Sequence, residues 1–502
     1  KDFKGNSCKM ISSKLYNRLN GLIAADPGIT SDMHRIEELV SLVFLKISSL
    51  REQKLASTIE GFESIVPKEL RWSTWAIPAE GEKLLTGPEL IDYVNNVFIP
   101  GMVNLDANED EPDKLIYKTI FTGVKNHMID GYLMREVING LEEHIGVINI
   151  DQVDLGNTYE KKLENLLSIG SAGQFYTPPP LTNLICELID PQLNEVVADF
   201  ACGTGGFLSS SLRYRQVHAK DYETFLNSEP NNLIYGLDKS PLAYMITVST
   251  IFLHDISSPE IYLSNAFNKE LISYDEEDKF DVILMDPPYG GREHKGVGHY
   301  FPENLRSNAT SDMFLVLMMY RMKKGGRGAI ILSDSFLFSN DNRKWNIKHK
   351  LFSEFNVHTI IRLPPSVFAP YSNIKTNILF FENTHPTRET WFYRVDMPKG
   401  YNRFTKRKPL LFEHLLPVIE WYNDKRDIIR SDGNVKAKKF SIGEIRKDDY
   451  KMNYCILSSL KTVNSPAELI KDYRFNRKIC NNEIDEALDN MERILNTHYY
   501  EL

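Results

Sequence analysis

The apolar run FDVILM (280–285) ends in four residues with chemical use: Asp286, Pro287, Pro288 and Tyr289. An amine attached to an aromatic ring is a poor nucleophile, because its lone pair is delocalised into the ring. Acceptors aimed at its two N–H groups draw the nitrogen toward a tetrahedral geometry and stabilise the positive charge that develops on it. The Asp286 carboxylate can accept one such bond and the Pro287 carbonyl the other. Two consecutive prolines fix φ and hold these acceptors rigidly. Tyr289 offers a flat ring on which an aromatic substrate can stack. The plainer alternative is a proline turn after a buried strand, with Asp286 as a turn cap.

Upstream, VVADFACGTGGFLSSSL (196–212) reads as strand, glycine turn and helix start. Gly203, Gly205 and Gly206 let the backbone turn sharply and approach a ligand closely. A dinucleotide-binding turn would want a third glycine at 208, where Leu208 stands. The next strand, IYGLD, ends in Asp238, placed where a carboxylate accepts hydrogen bonds from a ribose diol. Asn265, in YLSNAF, follows a third candidate strand; it can meet a purine ring and reads equally as a loop residue. Before the proline-started helix at 179, GQFYTPP places Gln174, Tyr176 and Thr177 where they can reach a ligand over the sheet edge, and reads equally as an ordinary helix entry.

The elements that would position these residues follow from periodicity. VVADF (196–200), LIYGLD (233–238), FDVILMD (280–286), RGAIILS (327–333), HTIIRLP (358–364) and NILFFE (377–382) are short β-branched or apolar runs alternating with helical stretches. That alternation predicts a parallel, doubly wound sheet. Residues 1–148 read as helical. In HRIEELVSLVFLKISSL (34–50), Ile36, Leu39, Val40, Val43, Phe44, Ile47 and Leu50 form one stripe, and Lys46 falls off it toward solvent. Further helices are predicted at 88–98, 112–125 and 130–145, and an amphipathic helix at 482–495.

The composition is 42% hydrophobic and 25% charged, as in a globular protein. No run approaches the ~18 apolar residues of a membrane span, and no signal-peptide pattern opens the chain. The five cysteines, Cys8, Cys186, Cys202, Cys455 and Cys480, include no CxxC pair. That argues against disulfides and a structural zinc site, and no metal site is expected. A cytoplasmic location follows as the expectation. The net charge of −9 is awkward for a protein that must grip a polyanion alone.

At this point the chain closely resembles the modification (M) subunit of type I restriction–modification systems, within the amino-methylating DNA methyltransferases. The residues that carry the resemblance are GQFYTP (173–178), DFACGTGGFL (199–208), GLD (236–238), DPPYGG (286–291), SDMFLVLMMYRMKKGGRGAIIL (311–332), LPPSVFAPYSNIKTNILFFE (363–382) and WFYRV (391–395). It implies an α/β fold: a Rossmann-like, S-adenosylmethionine-dependent methyltransferase sheet with an N-terminal helical domain and a C-terminal helical tail. It also implies transfer of a methyl group to the N6 amine of a flipped adenine. S-adenosylmethionine would be met by Gln174, Phe175, Tyr176, Thr177, Pro178 and Pro179, by Asp199, Ala201, Gly203, Thr204, Gly205 and Gly206, and by Asp238 and Asn265. Asp286, Pro287, Pro288 and Tyr289 would form the catalytic tetrad. Two positions depart from the family's pattern: Asp286 stands where Asn is common, and Pro179 where a basic residue often follows the FTP-like motif.

The predicted boundaries are 1–148 for the helical domain, 149–415 for the catalytic domain and 416–502 for a partner-docking segment. No stretch is evident for a module that reads bases in the major groove. The resemblance supplies one from outside: a specificity (S) subunit, with a second M subunit, DNA, and a restriction (R) subunit in the full complex. Lys375 and Asn377, in IKTNILFF, are candidate DNA contacts and read equally as a loop cation and a strand residue. Arg403, Lys406, Arg407 and Lys408 form the densest basic run. The remaining alternatives are a cytosine-N4 or protein-amide methyltransferase, a Rossmann oxidoreductase, and a catalytically silent scaffold of the same fold.

Overall fold

A computed structural model describes residues 13–145 and 176–456, apart from positions 109, 110, 227, 229–232, 255, 257, 340, 370, 431 and 432. Gln174, Phe175 and the predicted 482–495 helix lie outside the described residues. The chain divides into two units; everything below, apart from Val435 at the start of one strand, belongs to the larger, residues 1–429 with 436–455.

Ten strands form one sheet among the described residues: β1 (Val197–Asp199), β2 (Ile234–Asp238), β3 (Glu260–Leu263), β4 (Phe280–Met285), β5 (Met322–Ser333), β6 (Asn356–Arg362), β7 (Thr376–Glu382), β8 (Glu389–Arg394), β9 (Ile428–Ile429) and β10 (Val435–Ser441). Their order is β3-β2-β1-β4-β5-β7-β6-β8-β10-β9. β1 lies between β2 and β4 and is parallel to both, with Val197 opposite Ile234 on one side and Val282 on the other. The strand order therefore reverses at β1 and β4, and a crevice opens beyond their carboxyl ends.

The expected parallel pairing holds from β3 through β2, β1 and β4 to β5 and needs correction beyond it. β7 runs antiparallel to both β5 and β6, and β10 antiparallel to β8. A parallel neighbour needs a crossover element, usually a helix. Between β6 and β7 the chain instead makes a loop, LPPSVFAPYSNIK (363–375), with no helix among its described residues, so it returns beside its own strand in the opposite sense. That loop ends up at the crevice.

The N-terminal helices form as the periodicity predicts. Asp32–Thr58 is one long helix whose N-cap Ser31 accepts a bond from the His34 N–H, and Gly131–Ile145 packs on it. Lys46 does not face solvent. It is buried, and its Nζ reaches Glu142 Oε2 at 2.8 Å, while Glu142 Oε1 accepts the Trp72 indole N–H at 2.5 Å. The helix is covered on more than one side, so a residue off the apolar stripe meets a second neighbour, and the buried charge is paired. Asp32–Thr58 also packs on the helix Pro241–Phe252, buried from Leu242 onward, with Phe44 stacked on Phe252 at 6.2 Å and Arg51 over the Phe252 ring. One apolar core thus runs from the helices into the sheet. No helix among the described residues is long and apolar enough to cross a membrane.

Candidate active site

Beyond the carboxyl ends of β1, β2 and β4 lies a cavity of about 1190 Å³. Each strand ends at its wall in a carboxylate: Asp199 closes β1, Asp238 closes β2, and Asp286 follows β4.

The glycine turn lies between β1 and the helix Gly206–His218. Gly203 and Gly205 adopt φ of 55° and 80°, which side chains disfavour, and a Cβ on Gly205 would come within 3.0 Å of Thr247 Cγ2. The turn is held by Asp238, whose Oδ2 accepts the Gly203 N–H at 3.0 Å while Oδ1 accepts the Ser240 N–H at 2.8 Å. The carboxylate, with about four acceptor sites, keeps capacity for a further donor. Asp199 Oδ1 accepts the Ala201 N–H at 3.0 Å, and Asn265 Oδ1 accepts the Phe267 N–H at 3.0 Å.

Asp286 is half-buried between two hydroxyls. Thr177 Oγ1 donates to its Oδ2 at 2.7 Å, and Tyr289 Oη donates to its Oδ1. Burial pushes its carboxyl up to about 6, against the pull of those two bonds. Burial likewise raises Asp199 well above the usual carboxylate range, opposed by the Ala201 N–H, and raises Asp238, opposed by the Ser240 and Gly203 N–H groups. The Tyr289 phenol is raised by burial and by the neighbouring Asp286 charge. The Tyr289 ring meets Phe368 edge-on at 5.9 Å, and Tyr176 meets Tyr371 at 6.3 Å. Phe368 and Tyr371 come from the β6–β7 loop.

Of the residues expected at the site, Tyr176, Thr177, Asp199, Ala201, Gly203, Thr204, Gly206, Asp238, Asn265 and all of Asp286 through Tyr289 line this one cavity. Pro178, Pro179 and Gly205 are not on its wall. Pro178 caps the helix Pro179–Ile189 and Gly205 caps Gly206–His218, so they set the backbone rather than the lining. Lys375 is exposed next to the lining residue Ile374. Asn377 is buried, with its amide engaged by Asp334 Oδ1 at 2.9 Å and Arg362 Nη1 at 3.1 Å. In this arrangement Asn377 cannot face DNA; its polar group completes an internal network. Sequence reasoning missed Lys239, Arg292, Glu293, Thr310, Phe314, Phe368 and Tyr371 on the wall. Phe368 and Tyr371 sit in LPPSVFAPYSNIK, an aromatic, proline-rich break between two strands, which was the available signal.

The family model for N-6 DNA methylases matches residues 150–462. The methylase subunit of the type I restriction enzyme EcoEI from Escherichia coli is 35% identical over 97% of this chain and 98% of its own length. The EcoKI methylase subunit of E. coli strain K12 is 26% identical over 82% of this chain and 76% of its own. Among solved structures, a chain described as a modification subunit of a type I restriction enzyme from Vibrio vulnificus YJ016 superposes with a TM-score of 0.75 at 30% identity, covering 88% of this chain and 94% of that one. A chain from a study of complex assembly in a type I restriction–modification system also reaches 0.75, at 26% identity, covering 97% and 99%.

The fold is that of a Rossmann-like, S-adenosylmethionine-dependent methyltransferase with a helical N-terminal part. The chain belongs to the N-6 DNA methylase family, among the methylase subunits of type I restriction enzymes, and is a DNA methyltransferase specific for adenine N6.

Proposed function

We propose that the cavity takes S-adenosylmethionine over the glycine turn and a flipped adenine at the Asp286–Tyr289 corner. The observation that carries this is that both sets of residues line one cavity at one sheet edge. The residues suit a cationic ligand: the wall holds Asp199, Asp238, Asp286 and Glu293 against Lys239 and Arg292. S-adenosylmethionine, when bound, supplies an electrophilic methyl group. Asp238 would hold its ribose through the remaining acceptor capacity of its carboxylate. Gly203 through Gly206 let the backbone come close to it, and Tyr176, Thr177 and Asn265 border its ends.

Asp286 and the Pro287 carbonyl accept from the target amine and stabilise the charge that grows there as the nitrogen is alkylated. Thr177 keeps the carboxylate aimed. Tyr289 gives up its place on Asp286 to the incoming amine N–H and stacks on the base, which has left the duplex. Asp286, rather than Asn, still provides the acceptor.

Sequence choice and much of the DNA grip come from partners: a specificity subunit, a second copy of this chain and, in the full complex, a restriction subunit, all in the cytoplasm. The net charge of −9 favours this division of labour.

The test is methylation with labelled S-adenosylmethionine, using the chain alone and co-expressed with its neighbouring specificity gene, followed by nucleoside analysis of the DNA. N6-methyladenine formed by the complex and lost in Asp286→Ala, with cofactor binding retained, is expected. N4-methylcytosine as the product, or full activity in Asp286→Ala, would overturn it.

A further inference from the structure

Beyond the catalytic corner the chain makes a tight turn at Gly290 (φ 73°) and continues as Gly291, Arg292 and Glu293 along the cavity wall. This rim is fixed from both sides. The Gly291 carbonyl accepts the Thr310 N–H at 3.2 Å, and Thr310 Oγ1 donates to Glu293 Oε1 at 3.4 Å. Lys239, which follows Asp238 on β2's side of the cavity, reaches the same Glu293 oxygen at 3.4 Å. The backbone around Arg292 is therefore anchored, and Lys239 is already paired.

The Arg292 side chain is different. It is exposed, it lines the cavity, and it makes no hydrogen bond or ion pair among the described residues. Among those residues it is the one unpaired cation on a wall that also holds Asp199, Asp238 and Asp286. A nucleotide that brings its base to Asp286 also brings flanking phosphates to the mouth, where the carboxylates repel them. Guanidinium groups bind phosphate bidentately and hold its orientation as well as its charge. Phosphate contacts fix the register of a nucleic acid without reading its sequence.

We propose that Arg292 holds the backbone phosphate beside the extruded adenosine and so stabilises the flipped state. It is a substrate-positioning residue with no part in cofactor binding. The proposal rests on the reading of the cavity given above.

The experiment uses the complete methyltransferase complex and two duplexes carrying its own site, taken from the host's methylation map: one with 2-aminopurine at the target position for fluorescence only, and one with the natural adenine for affinity, KM and kcat. Wild type, Arg292→Ala and Arg292→Lys are compared for 2-aminopurine fluorescence, salt dependence of DNA affinity, KM and kcat, and S-adenosylmethionine affinity. Arg292→Ala is expected to lose most of the fluorescence rise and to bind DNA about tenfold more weakly at low salt. The slope of log affinity against log salt should fall by about one, with cofactor affinity unchanged. Arg292→Lys should recover the slope but only part of the fluorescence, because it restores charge without the bidentate fork.

Unchanged flipping and slope in Arg292→Ala, with wild type active on adenine, would overturn this assignment alone. A loss of cofactor affinity would overturn it too, by moving Arg292 to the other ligand. A wild-type complex that neither flips nor methylates adenine would take the underlying reading down with it.

Discussion

Asp286 sits between Thr177 and Tyr289, and burial holds its carboxyl at about 6. Only the ionised form offers acceptors on both oxygens, so its protonation removes part of what the amine needs. Methylation by the complex should therefore fall as pH drops through about 6. Asp286→Asn keeps one oxygen acceptor at every pH, and its profile should lose that acid limb while activity persists. Asp286→Ala removes the acceptor and should cost ~10²–10³-fold in kcat, the range seen for deleting one preorganised group at a charge-developing centre. A pH–rate series on the three proteins checks this, and an acid limb retained in Asp286→Asn would assign it to another group. The tetrad was readable from the sequence because its chemistry is local: two prolines, an acid and an aromatic at the end of one apolar run. The tyrosine folded back onto its own aspartate was not, since that bond depends on how the loop closes. Arg292 was missed for the opposite reason. Its meaning lies in lacking a partner, and sequence does not show partners.

At the scale of elements, strands with continuous apolar runs and helices with a 3–4 stripe were placed by periodicity alone. What periodicity does not carry is the second neighbour. Lys46 and Glu38, on the helix Asp32–Thr58, are both buried because further helices and loops close over that helix. Burial raises the Glu38 carboxyl to about 8, with the charges of Asp26 and Glu37 adding and the His127 backbone N–H opposing. The folded form thus holds a proton that the unfolded chain releases above about 4.5. The stability this contributes is complete below that value and is lost as pH rises through about 8. Lys348, pushed down to about 7 by burial, gives stability of the opposite pH slope, so the difference between variant and wild type is the clean readout. Glu38→Gln should gain melting temperature relative to wild type as pH goes from 6 to 9. A constant difference would place the Glu38 proton elsewhere. The parallel-sheet expectation missed β7 and β10 by the same logic: β7's direction is set by the loop before it, and alternation of strands does not encode direction.

For the whole molecule, the far half of the sheet is tied to the segment at 450–455 by three buried basic side chains. Lys348 Nζ donates to the Tyr450 carbonyl at 3.1 Å and to the carbonyls of Leu337 and Ser339. Arg362, at the end of β6, donates to the carbonyls of Met452 and Tyr454 and to Asn377 and Asp334. Arg394, at the end of β8, reaches the Cys455 carbonyl at 3.3 Å. The segment is irregular, with Asp449, Tyr450 and Cys455 at φ of 54–57°, so its carbonyls have no ladder to join and depend on these donors. Arg362 carries the most of them, and it also faces the buried Asn377 that had been expected at DNA. Removing it leaves two carbonyls and the Asn377 side-chain oxygen without their donor and takes one of two donors from Asp334, which should cost ~3–5 kcal/mol, the usual loss when one partner of a buried charged network is deleted. Arg362→Ala should therefore shift urea unfolding by that amount and open the chain to protease near 450–455 before the rest of the sheet. Because the segment lies apart from the cavity wall, cofactor binding by the surviving folded fraction should be unchanged. A variant as stable and as protease-resistant as wild type would mean that the segment is held by its apolar contacts, Met452 among them, and that the buried cations merely satisfy carbonyls already in place.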